Sequence, residues 1–544
     1  SNISNLSYNV KQDINNINCP FTLSELMEAI GACKIKTAAG PDNISYQLIS
    51  NLPDSGKIFL LEMINLSWST GDIPSGWKSS FVKPILKPNK SSAELSSFRP
   101  ITLSNTIPKI MERLVAYRIS WFLTKHQLLN PRQSGFQRGC QTVDQVYRLV
   151  REARCAIDGG DMTVAILIDF SNAFDLVWID AVILKLMKLN LTGCILRWIK
   201  NFLEIREYRV KIAEDLSEKY SLDNGTPQGS SLSPLLFLVM VNDFPELSAH
   251  TSTGLFADDS SIWRSGTNIE QITHHIQSDI NLICEWCTKW GFKINTSKTV
   301  GIVFTKKLNF KTPTICINGE KIDFVDSVKM LGITIDKKLN WKTHIQGIVD
   351  RCAQCLNLLR LLSGSAFGSS KKALIAIYRG LIRSRIDYGC FLYQDSARTN
   401  LKLLDTLQYK SLLLCTGGMK GTALASLLSE CGETTLAQRR YEFHLKFITR
   451  IWFSKKSACY ASLNNLTLTT LNKKSKSMDL IAFNTFLTEC NINSTLLAIN
   501  DNINLNPPWS APLDNIDTTL IELLKQAISL ENKRVIMEDF IVET

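Results

Sequence analysis

Asp258 and Asp259 stand side by side between two short strand-like runs, Thr253–Ala257 and Ser260–Trp263. Two like charges about 4 Å apart cost roughly 1 kcal/mol in water, and more where water is thin. A hairpin tip with both carboxylates therefore either binds a cation or is simply a solvated turn, for which Asp is a common residue. Asp169 adds to the first reading. It ends the apolar run Thr163–Ile168, which reads as a buried central strand. If that strand lies beside the hairpin in one sheet, three carboxylates converge. An oxygen cluster of this kind suits Mg²⁺, with Mn²⁺ as a possible substitute. Two such ions about 4 Å apart can activate a hydroxyl and stabilise a leaving pyrophosphate. The expected reaction is nucleotidyl transfer.

The elements that must position these acids are legible in outline. A capping box, Thr22-x-x-Glu25, opens a helix through Leu26, Ile30 and Cys33. A helix over Lys57–Thr70 leads through the turn Gly71-Asp72-Ile73-Pro74 to a strand at Phe81–Leu86, and a further helix spans Pro108–Leu123. Strands near Tyr208–Ile212 and Lys219–Asp223 precede the loop Gly225–Ser230 and the apolar helix Ser233–Val241. A helix over Ile269–Trp290 stops at Gly291, and strands follow at Val300–Phe304, Thr314–Ile317 and Lys329–Ile335. Beyond Trp341 the pattern is almost wholly helical, while residues 1–18 read as a disordered or extended arm and Pro507-Pro508-Trp509 as a late linker.

Composition narrows the classes. The 544 residues carry a net charge of +11, and residues 341–410 hold eleven basic side chains against four acidic ones. Such a window is either a phosphate-tracking surface or a solvated face. Fifteen cysteines lack the dense spacing of a secreted disulfide scaffold, which implies reduced thiols and an intracellular location. Cys284/Cys287 and Cys352/Cys355 fall mostly on the apolar stripes of helices, so they read as core rather than zinc ligands. No apolar run approaches the ~18 residues of a membrane span, and no membrane association is expected.

Three segments then become specific together: Asp169-Phe170-Ser171-Asn172-Ala173-Phe174-Asp175, Gly225-Thr226-Pro227-Gln228-Gly229-Ser230 and Phe256-Ala257-Asp258-Asp259. In order and spacing they resemble the palm motifs of reverse transcriptases, most closely those of non-LTR (LINE-type) retrotransposons. Ile85-Leu86-Lys87-Pro88 and Phe98-Arg99-Pro100-Ile101 resemble fingers motifs, and Gln133-Ser134-Gly135-Phe136-Gln137 a template-side motif. Gly291–Thr299 resembles the fourth palm motif and Met330-Leu331-Gly332-Ile333 the primer grip.

The resemblance implies an α+β right-hand polymerase: an N-terminal extension over 1–75, fingers and an antiparallel-sheet palm over 76–340, a helical basic thumb over 341–450 and a helical connector over 451–544. It implies that Asp169 and Asp258 bind both metals, that the Phe170 carbonyl binds one and that Asp259 supports them. Lys87 and Arg99 would hold the triphosphate, Gln228 would contact the nucleotide sugar, Gly229 would allow close approach, and Lys298 could protonate pyrophosphate. Without the palm motifs these would read as solvated loop charges and a helix-leading turn. Phe174, five residues past Asp169, would exclude a ribose 2′-hydroxyl, where RNA-dependent RNA polymerases, the rival that shares the palm, place an Asp. Lys371, Lys372, Arg379, Arg383 and Arg385 would track the primer–template backbone. The implied partners are an RNA template, a DNA primer and deoxynucleoside triphosphates, and the implied place is the nucleus at an integration site. The chain starts too close to the fingers for a preceding endonuclease, so it is expected to be part of a longer element protein or a degraded copy. The rival from another class is a catalytically silent RNA-binding scaffold.

Overall fold

The computed structural model describes residues 16–453 apart from Ile35, Asn89, Asp223 and residues 365–367, together with residues 458–460, Pro507 and Trp509. The site rests on a five-stranded sheet. Its central strand, Met162–Ile168, pairs antiparallel on one side with Asp259–Gly266 and on the other with Val300–Phe304. Ser252–Phe256 extends the first edge, and Asp323–Phe324 adds to the second in parallel. Apart from Thr163, whose hydroxyl meets that of Ser265, the central strand is apolar because both faces are covered. Val164, Ile166 and Ile168 enter one core with the N-terminal helices, while Ala165 enters a second with Trp263, Ile302 and the helices after Trp341.

A second sheet lies across the cleft. Ser79–Leu86 pairs antiparallel with Phe98–Ser104 and parallel with Arg206–Ile212, which also pairs with Tyr220–Leu222. This last strand is the one expected over Lys219–Asp223, whose final residue lies outside the described residues. The helix Asp54–Thr70 ends on Gly71 at φ +78°, and Ile269–Trp290 ends on Gly291 at φ +77°, so both stops are left-handed glycine caps. The capping box at Thr22 and Glu25 is formed. Cys287 and Cys352 are buried, and among the described residues no group of three or more His, Cys, Asp or Glu side chains is arranged to hold a metal ion, the trio Asp169, Asp258 and Asp259 included. Among the described residues no helix is long and apolar enough to cross a membrane.

Three expectations need correction. The expected arm over 1–18 lies outside the described residues up to position 15, but Ile17 is buried and Asn18 donates to the Thr192 carbonyl at 3.0 Å. The cause is Arg118, a fully buried cation whose guanidinium collects the carbonyls of Ile17 and Pro20 and pairs with Glu25 at 2.8 Å. Trp509 is not in a free linker. Its ring lies 4.9 Å from that of Trp121 and is faced by the Arg118 guanidinium; Pro508 and most of 451–544 lie outside the described residues. Finally, Lys329–Ile335 is not one strand but a hairpin, Ser327–Met330 and Ile333–Asp336, turned at Leu331-Gly332.

Candidate active site

The register of the sheet brings the acids together. Ile168 is opposite Ser260, so Asp169 leaves the central strand beside Asp259, the first residue of its neighbour. Phe256 pairs with Asp259, which leaves Ala257-Asp258 as the two-residue turn. The tip is therefore Ala257-Asp258 rather than the Asp pair, with Ala257 at φ +56°. An alanine in the left-handed region costs energy and persists where its surroundings over-determine it.

Those surroundings come from Gln133, Ser134 and Gly135, within the segment 133–137 that resembles a template-side motif. Gln133 is buried, its amide oxygen accepts from the backbone N–H of Ala257 at 2.9 Å and of Gly135 at 2.7 Å, and Ser134 N–H donates to Leu255 at 2.8 Å. A Cβ on Gly135 would lie 2.2 Å from the Ala257 nitrogen, so only glycine lets this segment reach the turn.

Asp169 is held from the other side. Thr299 Oγ1 accepts from Asp169 N–H at 3.2 Å, and Asp169's carbonyl accepts from Asn295 at 2.8 Å while Ser171 N–H donates to Lys293 at 2.9 Å. These last two bonds close the bridge Phe170–Ile294 and leave Phe170's own carbonyl out of it. The segment resembling a fourth palm motif is thus the clamp on the first aspartate.

Electrostatics follow from crowding. Loss of solvent, then the charges of Asp258 and Asp169, push Asp259 up to about 6. Asp258 is raised by burial and by Asp169. Lys298 lies 3.6 Å from Asp169 in a largely exposed pair, which is worth little and gives way easily.

A cleft of about 1040 Å³ joins these acids to the second sheet. Lys87, Arg99, Phe136, Asp169, Phe170, Phe174, Gln228, Gly229, Asp258 and Lys298 all line it. The loop carrying Gln228 is built by backbone pairing. Thr226 N–H donates to Phe174 at 3.0 Å, Thr102 N–H donates to Gln228 at 2.7 Å, and a Cβ on Gly229 would come within 2.9 Å of the Thr102 oxygen. The glycine therefore serves close approach to the strand Phe98–Ser104. Gln228 Nε2 donates to Asp175 at 3.0 Å, and Lys87 Nζ to the Ser96 carbonyl at 2.8 Å. Phe174 is half-buried, stacked on Phe237 at 4.4 Å and met edge-on by the exposed Phe136 at 6.3 Å.

Residues 85–335 match the family described as reverse transcriptase (RNA-dependent DNA polymerase). The chain carries a reverse-transcriptase domain. It is 30% identical over 416 residues to the "Probable RNA-directed DNA polymerase from transposon BS" of Drosophila melanogaster, covering 74% of this chain and 46% of that protein. It is 28% identical over 405 residues to the RNA-directed DNA polymerase from mobile element jockey of Drosophila funebris, covering 73% and 44%. The chain thus spans a little under half the length of these relatives. Among solved structures, apo telomerase from Candida tropicalis is similar at 12% identity and a TM-score of 0.34, covering 70% of this chain and 69% of that one. The family match over residues 85–335, with the mixed sheets and helices described above, gives the fold as that of a right-hand polymerase.

Outside the reverse-transcriptase domain, the basic side chains expected to track a nucleic-acid backbone are mostly engaged within the protein. Arg379 and Arg383 both pair at 2.7 Å with Glu433, whose side chain is fully buried, and Lys371 pairs with Glu430. Arg385 donates to the Arg351 carbonyl at 3.0 Å and to Cys355 Sγ. Lys372 is exposed. A buried carboxylate cannot be left alone, so Arg379 and Arg383 are needed where they are; the expectation of phosphate contacts is withdrawn for these two. Trp341 and Tyr378 are fully buried core.

Sequence reading missed Glu112. On the helix Thr106–Lys125 its side chain is buried, and its carboxylate accepts from Ser231 N–H at 3.2 Å and bonds the Ser230 hydroxyl beneath the Gln228 loop. A Glu among Met111, Leu114 and Val115 was the available signal. Gln133, Thr299 and Phe136 lay inside quoted motifs but without these roles.

Proposed function

We propose that this chain is the polymerase part of a non-LTR retrotransposon protein, extending a DNA primer along an RNA template with deoxynucleoside triphosphates. The supporting observation is that Asp169 and Asp258 line the same cleft as Lys87, Arg99 and Gln228. One wall suits a triphosphate and the other the cations that accompany it.

By its chemistry the donor set suits two Mg²⁺ ions, or Mn²⁺, and the three carboxylates, which as placed do not form a metal-holding group, would have to draw together around them. Three carboxylates lie at one sheet edge, loss of solvent and then the charges of Asp258 and Asp169 lift Asp259 to about 6, and the Phe170 carbonyl is left out of the neighbouring bridge. A cation would relieve that repulsion. Asp169, Asp258, Asp259 and the Phe170 carbonyl would hold the ions, which when bound activate the primer hydroxyl and stabilise the leaving pyrophosphate. The chain's own residues do the rest. Arg99 and Lys87 neutralise phosphate oxygens, and Gln228, fixed through Asp175 and Thr102, orients the nucleotide sugar. Phe174, propped on Phe237, closes the space beneath the sugar and excludes a 2′-hydroxyl. Lys298 sits where it can give a proton to pyrophosphate once released from Asp169. Lys372 and Arg385 would meet the primer–template, and the nucleus, where chromosomal DNA lies, would be the place of action.

The test is primer extension on an RNA template with Mg²⁺, comparing wild type with Asp258→Asn. The variant should lose extension by at least about a thousandfold while binding primer–template normally, because the phosphate-binding groups are untouched. Extension at near wild-type rate would remove the hairpin from the metal site. A silent wild type that binds RNA would favour the scaffold reading.

A further inference from the structure

The Leu331-Gly332 turn has a support that the site described so far does not use. Both residues have positive φ, +46° and +88°, between strands that pair Met330 with Ile333. That is the two-residue hairpin geometry whose first position strongly disfavours a leucine. Tyr388, far along the chain, lies against it. Its hydroxyl donates to the Leu331 carbonyl at 2.6 Å and lies 2.8 Å from the Thr142 hydroxyl. A phenol has one proton, so Thr142 is the donor in the second bond. A Cβ on Gly332 would be 3.3 Å from the Tyr388 ring, and one on Gly389 would be 2.5 Å from Ile333 Cδ1. The Tyr388 ring therefore packs on the turn at Gly332, and Gly389 packs on the Ile333 side chain just beyond it.

The turn in turn faces the acids. Met330, Leu331 and Gly332 line a second cleft of about 290 Å³ with Asp169, Asp259 and Lys298. Asp169 and Lys298 border both this cleft and the larger one that holds Lys87, Arg99 and Gln228. The two clefts meet at the carboxylates. If the triphosphate groups occupy the larger side, the end of the growing strand approaches from the smaller.

We propose that Tyr388 is a positioning residue, whose hydroxyl fixes the Leu331-Gly332 turn so that the primer terminus, rather than the incoming nucleotide, is aligned with the acids. This rests on the polymerase reading above. Through Thr142 the same hydroxyl ties the turn to the helix Thr142–Asp158, so three distant segments set one loop.

The experiment uses the full chain with Tyr388→Phe, which keeps the ring, and with Thr142→Ala and Thr142→Ser. Hydrogen exchange of residues 328–335 and steady-state extension are measured for each. Loss of one neutral hydrogen bond corresponds to about three- to tenfold. Tyr388→Phe should raise the KM for primer–template by that factor and speed exchange at Gly332 and Ile333, with the KM for nucleotide and the melting temperature unchanged. Thr142→Ala should follow in the same direction, and Thr142→Ser should match wild type. Unchanged exchange with an unchanged primer KM overturns the proposal. So does an equal loss toward primer and nucleotide with a lower melting temperature, which marks Tyr388 as general packing. A wild type that extends no primer overturns the polymerase reading instead, and the exchange comparison then decides whether Tyr388 holds the turn.

Discussion

Glu112→Gln separates a buried acid from an ordinary one. Burial raises the Glu112 carboxyl from 4.5 to about 7, against the opposing help of the Ser230 hydroxyl, Lys109 and the Ser231 N–H. The folded chain thus binds this proton more tightly than the unfolded chain, and folding stability falls as pH rises from the unfolded value to the folded one. Below about pH 4.5 both states are protonated and the group contributes no pH dependence; above about pH 7 both are ionised and the cost is complete. A shift of that size corresponds to about 3 kcal/mol at 1.36 kcal/mol per unit. Glutamine keeps an oxygen for Ser231 N–H but has no charge to bury. Urea unfolding of wild type and variant at pH 4.5, 6, 7 and 8 gives the comparison, since other titrating groups cancel in the difference. The variant should gain on wild type by about 3 kcal/mol between pH 4.5 and pH 8, whatever constant offset the extra amide hydrogens introduce. A difference that stays flat with pH would show that the carboxyl titrates at its ordinary value. The Gln228 loop would then not rest on a desolvated acid.

Asp259→Asn should raise the melting temperature of the metal-free protein at pH 7.5 and leave it unchanged near pH 4, because the ionisation cost begins above the unfolded pKa and is complete past about 6. Mg²⁺ should stabilise wild type more than this variant in differential scanning fluorimetry, and a lower melting temperature for the variant at pH 7.5 would refute the crowding argument. Phe174→Val should raise ribonucleotide over deoxynucleotide incorporation at least about tenfold in single-nucleotide extension. Because the ring is half-buried on Phe237, it should also cost about 1–2 kcal/mol of stability; an unchanged ratio with the same loss would reduce Phe174 to packing.

How much of this was legible beforehand depended on the range of the interaction. The span Ile269–Trp290 and its stop at Gly291 follow from apolar spacing and one glycine, and both are local. The strand Met162–Ile168 announced itself by having no polar side, which only a strand covered on both faces tolerates. Asp169 at its end and the Asp258-Asp259 pair at the hairpin tip were therefore readable as three acids near one sheet edge. The sequence could not show that the turn is Ala257-Asp258, because hairpin register is set by the partner strand and by Gln133, 124 residues away. Nor could it show that Arg379 and Arg383 are spent on Glu433, 54 and 50 residues along the chain. A basic run looks the same whether its charges face phosphate or a buried carboxylate. The same holds for Glu112 beneath the Gln228 loop and Tyr388 on the Leu331 turn. Local pattern determines which residues are helix, strand or tip, because propensity and periodicity act within a few positions. Only the folded chain decides which polar groups meet, because desolvating them requires partners that distant segments bring.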